Sequence, residues 1–535
     1  MLGRNYMAQL RWFHNHYQIL LVNIIALLLM TGGCASLPEN TGRLRSMALQ
    51  DVANTTVGRA VAEQETSHPG KSGFVLLGNG LDAFVARIIL AGLAEQSLDV
   101  QYYLYHDDQV GGLLAYQLLQ AADRGVRVRL LLDDMGLEGR DLSIATLNSH
   151  PNIEIRIFNP FIRGMLRGIQ FLTRFGSVTR RMHNKSYTVD NSVTIVGGRN
   201  IGNEYFDADP DLTFGDLDVM TVGPVVKDVS ASFDEYWNSE LAYPISTLKE
   251  KLTGQTLDER RPYWDAKMAE EKDSEYVAAL KKSDLVQQIQ NGTLMYQWGE
   301  AVVIADKPEK ISEVVPSADY YLVPRLIKYL EKTEKELVIL SAYFVPGRKG
   351  VDFLKSLRER GVRVRILTNS LSSNDVTLVH AGYARYRREM LRAGIELYEM
   401  DKKMTRAERK EKKAAGSTGK ASLHAKTFIV DRKAMFVTSF NFDPRSIYEN
   451  TEIGVLFKSP SLARPMAEKF DELSSRGAFH LELVPQDEIE GSVDLIRWVT
   501  IKDGQEIIYT SDPYASVWRR FILSVAGWLP IESQL

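Results

Sequence analysis

The segment Arg181–Asn200 reads RMHNKSYTVDNSVTIVGGRN, and Ser422–Asn441 reads SLHAKTFIVDRKAMFVTSFN. Both follow the pattern His-x-Lys-x4-Asp-x6-small-small-x-Asn, filled by His183, Lys185, Asp190 and Asn200 in the first and by His424, Lys426, Asp431 and Asn441 in the second. Each otherwise reads as β-strand, and strand alternation sends His183 with Lys185, and His424 with Lys426, to one face. From average residue usage, a given histidine starts His-x-Lys-x4-Asp about once in 300 to 400. Two copies, each extended to the asparagine and separated by 424 − 183 = 241 residues, are therefore no coincidence.

The flanks repeat as well. GFVLLGNGLDAFVARIILAGLAEQSLDVQYYLY, from Gly73, offers a strand, an amphipathic helix and a strand, and AADRGVRVRLLLDDM adds a helix end at Gly125 and a buried strand. AVVIADKPEK, YYLVPRLIKYLEKTEKELVILSAYFVPG and LRERGVRVRILTNS give the same order farther along. RGVRVR itself recurs at Arg124–Arg129 and Arg360–Arg365, an offset of 360 − 124 = 236. This order predicts an α/β protein of two similar domains, each a parallel or mixed sheet flanked by helices. The expected division is a signal segment over 1–34, a linker over 35–73, a first domain over 74–246, a charged helical connector over 247–296, a second domain over 297–480, and a C-terminal extension over 481–535.

Two domains packed about a pseudo-two-fold axis would bring both His-Lys pairs onto one anion. One histidine can then attack phosphorus while the other protonates the leaving oxygen. Two lysines and two asparagines can hold the non-bridging oxygens and stabilise the charge that builds up. This chemistry calls for no metal and no cofactor.

The paired motifs resemble those of the phospholipase D superfamily, over about Gly73 to His480. The resemblance implies two α/β domains with the active site at their interface and a covalent phosphohistidine. It makes His183 and His424 the nucleophile and general acid/base pair, makes Lys185, Lys426, Asn200 and Asn441 phosphate ligands, and leaves Asp190 and Asp431 mainly structural. It also implies an acidic residue after each asparagine that orients a histidine: Glu452 in YENTEIGV and Asp218 in FGDLDVMTVG. Gly198 stands where many members place serine, matched in the second copy by Ser439, so one phosphate-contacting hydroxyl is missing from the first half.

With 535 residues, 44% hydrophobic, 25% charged and a formal net charge of −3, the chain has ordinary globular composition and gives no bulk-charge argument for nucleic acid. Its single cysteine, Cys34, excludes an internal disulfide. Cys34 closes ILLVNIIALLLMTGGCAS, preceded by Arg4 and Arg11, the order of a secretory signal. The segment resembles a bacterial lipoprotein signal, with Cys34 the lipidated first residue after cleavage; the alternative is an uncleaved N-terminal anchor. Both place the chain at a membrane of a bacterial cell envelope. PFIRGMLRGIQFLTRFGSVTRR, Pro160 to Arg181, interleaves apolar residues with five arginines and carries no acid, a composition suited to an anionic membrane interface, and ASVWRRFILSVAGWLP repeats the theme near the C-terminus. The alternative for both is packing on the core with the arginines solvated. The basic stretch Asp401 to Lys420 reads as a solvated loop at the mouth of the site. PGKSG at Pro69 is not a phosphate-binding loop, because Glu65 stands where such a loop needs glycine.

Within the superfamily, LDVQYYLYHDD, GGRNIGNEYF, TSFNFDPRS and the ending LPIESQL resemble the C type of bacterial cardiolipin synthases. That resemblance implies a phosphatidyltransferase acting on phosphatidylglycerol and a second phospholipid, with phospholipids and the membrane surface as partners and, for some related synthases, an accessory protein. The competing reading uses the same residues with water as acceptor, a hydrolytic phospholipase D. A nuclease fits the export signal and the apolar basic segment poorly, and a catalytically silent membrane scaffold fits the two intact His-Lys pairs poorly.

Overall fold

A computed structural model describes residues 36–209, 212–248, 256–374, 376–402, 420–484, 495–502 and 504–526. Cys34, most of the Asp401–Lys420 stretch and the end of the C-terminal tail lie outside them. Among the described residues, the first large sheet has nine strands in the spatial order Gln297–Gly299, Ser72–Leu77, Asp218–Val222, Val193–Gly197, Ser186–Val189, Ser97–Tyr102, Arg127–Asp133, Ile153–Phe158 and Ala242–Pro244. The second has ten: Ala301–Ala305, Ile453–Lys458, Ala434–Thr438, Lys426–Val430, Glu336–Ser341, Arg363–Asn369, Glu396–Met400, Ala478–Leu483, Ile496–Lys502 and Gln505–Tyr509. From Ser72–Leu77 and from Ala301–Ala305 onward the two orders correspond strand for strand. In each, three central strands run parallel and their other neighbours antiparallel, so both sheets are mixed. The α/β class, the doubling and the flanking helices are as the sequence predicts.

The recurring RGVRVR has a physical reason. Gly125 and Gly361 follow a helix with φ of +96° and +84°, left-handed values that glycine adopts without strain, and so reverse the chain into the next strand. The valines then turn into the core, Val126, Val128, Val362 and Val364 all being buried. The last arginine of each repeat is buried beside carboxylates: Arg129 on Asp99 (2.7 Å) and Asp234 (2.8 Å), Arg365 on Glu336 (3.3 Å) and Asp471.

An apolar core joins the halves. Phe74, Val196 and Val219 of the first pack with Ile429, Val437 and Phe457 of the second, and the Phe74 and Phe457 rings stack 4.4 Å apart. Burying each such ring contributes about 1.5–3 kcal/mol, so the interface that carries the site is a core rather than a hinge. The expected boundaries shift in three places. Residues after Ser36 do not act as a free linker: Asn40 donates to the carbonyls of Glu240 (2.8 Å) and Ala242 (3.0 Å), and Ala48 and Val52 are buried. The connector packs back on the first domain, with Leu280 and Leu285 in its core, and Gln297–Gly299, just past its expected end, is a strand of the first sheet rather than of the second. The boundary at 480 falls inside a strand, and the two strands beyond it extend the second sheet. No described helix is long and apolar enough to cross a membrane.

Candidate active site

His183 and His424 sit at the seam between the halves, each held by the other half. The chain at Met182 bridges Thr451, and the His183 N–H donates to the Thr451 carbonyl (2.8 Å). In the matching place Lys420–Leu423 pairs with Leu212–Gly215, and the His424 N–H donates to the Gly215 carbonyl (2.8 Å). This exchange hands each histidine a carboxylate from the opposite half. His183 Nδ1 lies 2.8 Å from Glu452 Oε2, and His424 Nδ1 lies 2.5 Å from Asp216 Oδ2. With Nδ1 so engaged, Nε2 is the other nitrogen each ring can turn to a substrate.

This corrects the assignment of Asp218. Strand register pairs Gly197 with Asp218 and Thr438 with Gly454, so the residue matching Glu452 is Asp216. Asp218 instead takes the Arg87 guanidinium (2.9 Å) and the Arg199 backbone N–H (3.2 Å), a buried structural pairing. Counting from the asparagines hid Asp216, because 216 − 200 = 16 residues do in the first half what 452 − 441 = 11 do in the second. Register, not spacing, was the signal.

Gly198 and Ser439 also acquire a different meaning. Ser439 Oγ donates to Glu452 Oε2 (2.5 Å), and Ser446 Oγ donates to Oε1 (2.9 Å), so the serine steadies the carboxylate. A Cβ on Gly198 would stand 2.2 Å from Asp216 Oδ1. The shorter aspartate reaches His424 only by coming down onto that backbone, and glycine is the residue that leaves room.

Burial, with Lys185, Lys426 and His424 nearby, holds His183 well below its ordinary value. Burial and Lys426 also depress His424, but Asp216 pulls it back up. Although burial works against it, Asp216 is held below the usual carboxylate range by His424 and Lys426. Glu452 goes the other way: burial pushes it up to about 7, against the pull of Lys185 and the two serines. Burial also lowers Lys185 to about 7. Lys185 Nζ donates to the His183 carbonyl (2.7 Å), and Lys426 Nζ to the His424 carbonyl (2.6 Å), while lying 3.3 Å from His424 Nε2. Asn441 Oδ1 is buried without a hydrogen-bond partner, whereas Asn200 accepts from the Leu104 N–H (3.2 Å) and donates to the Tyr205 hydroxyl (3.0 Å), keeping one amide hydrogen for a ligand.

Asp190 and Asp431 lie off this centre, each in a turn with φ of +47° and +51°. Asp190 accepts the backbone N–H groups of Glu95, Gln96 and Ser97 at 2.8–3.0 Å, and Asp431 those of Glu334, Lys335 and Glu336 at 2.7–3.1 Å. Sequence reading missed a second matched pair: Asp133 accepts the Met182 N–H (2.9 Å) and Asn369 the Leu423 N–H (3.0 Å), each fixing the residue before a histidine. It missed Tyr103 and Tyr205 too, whose rings meet His183 and His424 edge-on at 4.9 and 5.1 Å. Two groups among the described residues bring His and carboxylates close enough to share an ion, His106/Asp108/Glu204 and His380/Glu399/Asp512, and neither includes the paired histidines. In the second, Arg387 already bridges Glu399 (2.7 Å) and Asp512 (3.0 Å).

The segment Pro160–Arg181 divides differently from its composition. Its arginines are engaged internally: Arg163 with Asp134 and Asp141, Arg167 with the Asp134 and Met135 carbonyls, Arg180 with Glu449 and Arg181 with Asp133. Phe161 and Ile162 are core residues, while Leu166, Leu172 and Phe175 are exposed. In the C-terminal helix Val517–Ala526, Trp518 and Phe521 stack 5.5 Å apart and are exposed, and Arg519 donates to the Leu371 carbonyl (2.8 Å).

The family described as cardiolipin synthase, PLD-like domain, matches residues 88–237 and 326–474. Cardiolipin synthase C of Escherichia coli K12 is 42% identical over 471 residues, covering 87% of this chain and 97% of that protein. Cardiolipin synthase B of the same organism is 24% identical over 383 residues, 71% of this chain and 75% of that one. Phosphatidylserine synthase of Haemophilus influenzae Rd KW20 superposes with a TM-score of 0.52 at 15% identity, over 81% of this chain and 94% of that one, and so shares the fold. The chain belongs to the cardiolipin synthase group of the phospholipase D superfamily.

Proposed function

We propose that this phospholipase D superfamily member makes cardiolipin by phosphatidyl transfer through a phosphohistidine. The observation that carries the reading is the crossed pair of dyads: two imidazoles, each with Nδ1 on a carboxylate, share one seam with Lys185 and Lys426. His183, kept neutral, attacks the phosphorus of a donor phospholipid through Nε2. His424, beside the ionised Asp216, gives its proton to the departing alcohol, glycerol from phosphatidylglycerol or ethanolamine from phosphatidylethanolamine. The terminal glycerol hydroxyl of phosphatidylglycerol then returns a proton to His424 and attacks the phosphorus, breaking the P–N bond and releasing cardiolipin. Lys185, Lys426, Asn200 and Asn441 hold the non-bridging oxygens, and an anionic phosphate there favours the charged form of Lys185.

The lipid substrate is supported by the 42% identity to a cardiolipin synthase over nearly the whole of that relative. Membrane contact is supported by exposed Leu166, Leu172 and Phe175 just before the first motif and by Trp518 and Phe521 on a helix tied by Arg519 to the segment after Asn369. With the arginines beside the first motif paired internally, hydrophobic insertion rather than charge attraction carries that contact. Lipidation at Cys34 would hold the enzyme at the envelope membrane.

The test is lipid product analysis by mass spectrometry on purified enzyme with vesicles of phosphatidylglycerol alone and with added phosphatidylethanolamine, His183→Ala serving as blank. Cardiolipin with free glycerol or ethanolamine is the expected result and identifies the donor. Phosphatidic acid without cardiolipin would make water the acceptor and overturn the transfer reading.

A further inference from the structure

A cavity of about 260 Å³ lies under the connector helix Leu257–Glu271, between the first sheet and the helices Gln109–Asp123 and Asp141–Asn148. Its inner wall is apolar, with Leu132, Ile144, Leu147 and Ile155 from the domain and Trp264 and Met268 from the connector, while His106, Asp107, Arg140, Arg260 and Lys267 add charged and polar groups to the lining. Protein interiors are close-packed, so a space of this size with an apolar inner wall and a few polar groups has the character of a binding site rather than a packing fault. Sites that enclose a whole drug-sized ligand run from about 300 to 1,000 Å³. This one is sized for part of a chain molecule, not for a lipid with its head group.

Its position ties it to the reaction centre. His106 lines the cavity, its backbone N–H donates to the carbonyl of Ile201 (2.8 Å), the residue after Asn200, and it follows by three residues Tyr103, whose ring meets His183. The cavity and the catalytic seam thus share the chain that runs from Tyr103 to His106. Arg140, whose guanidinium donates to the Tyr105 carbonyl, and Lys267 also line it. The connector helix has no fully buried residue and is tied down at its edge by polar contacts: Tyr116 to Asp265 (2.9 Å), Arg261 to Asp123 (2.8 Å) and Gln109 to Glu271. Such a wall can lift without breaking a core.

We propose that this cavity takes one acyl chain of a phospholipid substrate, with the connector helix as its outer wall, placing the lipid phosphate toward the histidines. The proposal rests on the lipid reading of the active site. A linear hydrocarbon could equally come from a free fatty acid, and the experiment separates the two.

Phosphatidylglycerol carrying brominated acyl chains is titrated in detergent micelles against the full-length protein while tryptophan emission is followed, with brominated free fatty acid in a parallel arm. Bromine entering the cavity quenches Trp264, so the quenching component should saturate with the phospholipid and disappear in Trp264→Phe. Quenching unchanged in Trp264→Phe overturns the site, and saturation at lower concentration by the free fatty acid than by the phospholipid overturns the assignment of its occupant. In a second arm, Ala115→Trp, which fills the wall beside the connector, should lower kcat/KM for dioleoyl relative to dihexanoyl phosphatidylglycerol by about 10-fold. An unchanged ratio in a folded variant also overturns the proposal. The quenching arm reads binding alone, so it stands or falls independently of whether the acceptor is a lipid or water.

Discussion

The first half-site holds His183 against Glu452, steadied by the hydroxyls of Ser439 and Ser446; the second holds His424 against Asp216, packed onto Gly198 with no hydroxyl between. One carboxylate is long, buried and raised to about 7, and the other is short and held in its ionised form. Two copies of one motif have therefore been given unequal electrostatics, which is what the proposed division into nucleophile and general acid requires of two identical rings. The glycine-for-serine difference is part of this inequality rather than a missing phosphate ligand, because the serine hydroxyl is spent on Glu452.

The largest effect falls on the rings themselves. His183→Ala and His424→Ala should each lower kcat by at least about 10³-fold, since residues acting as a unit fail together. Initial rates of lipid product formation check this, and one variant keeping a tenth of the activity would break the pairing. The next comparison separates the halves. Asp216→Asn removes an ionised partner and should cost on the order of 10²-fold or more, as expected for the orienting acid of a catalytic histidine. Glu452→Gln replaces a group raised to about 7, and so only partly ionised at pH 7, and should cost only about 10-fold. Because Asp216 raises His424, its loss lowers the pKa of the proposed general acid, so the alkaline limb of kcat/KM should move to lower pH in Asp216→Asn. A limb that stays in place would reverse the roles assigned to the two histidines.

Smaller effects sharpen the contrast. Gly198→Ser drives a Cβ against Asp216 and should approach the Asp216→Asn loss, whereas Ser439→Gly removes one hydrogen bond to Glu452, worth about 0.5–1.5 kcal/mol, or roughly 2- to 12-fold in rate. Equal losses would mean that Ser439 contacts substrate after all. Least affected in chemistry are the turn aspartates. Asp190→Asn and Asp431→Asn each weaken charge-assisted bonds to three backbone N–H groups, worth about 1.5–3 kcal/mol of stability for a charged acceptor. The fully buried Asp190 should lose more than the partly exposed Asp431, as urea unfolding would measure.

Much of this was legible in advance. The doubled motif, the strand order around it and the helix stop at Gly125 with its twin at Gly361 are local patterns, and local patterns survive in one dimension. The arginines of Pro160–Arg181 show where that ends: composition placed them in a basic face, yet Asp133, Asp134, Asp141 and Glu449 neutralise most of them from elsewhere in the chain. The segment after Ser36 looked like linker because its anchors, Glu240 and Ala242, lie some 200 residues away.

By itself the sequence determined the α/β repeat and the doubled His-Lys motif at the start of the strands Ser186–Val189 and Lys426–Val430, since both are patterns among neighbours along the chain. Tertiary structure alone decided which carboxylate meets which histidine. Those contacts join residues 208 and 269 positions apart across an interface between domains, where strand register and the packing of a glycine, not spacing in the chain, set what can touch.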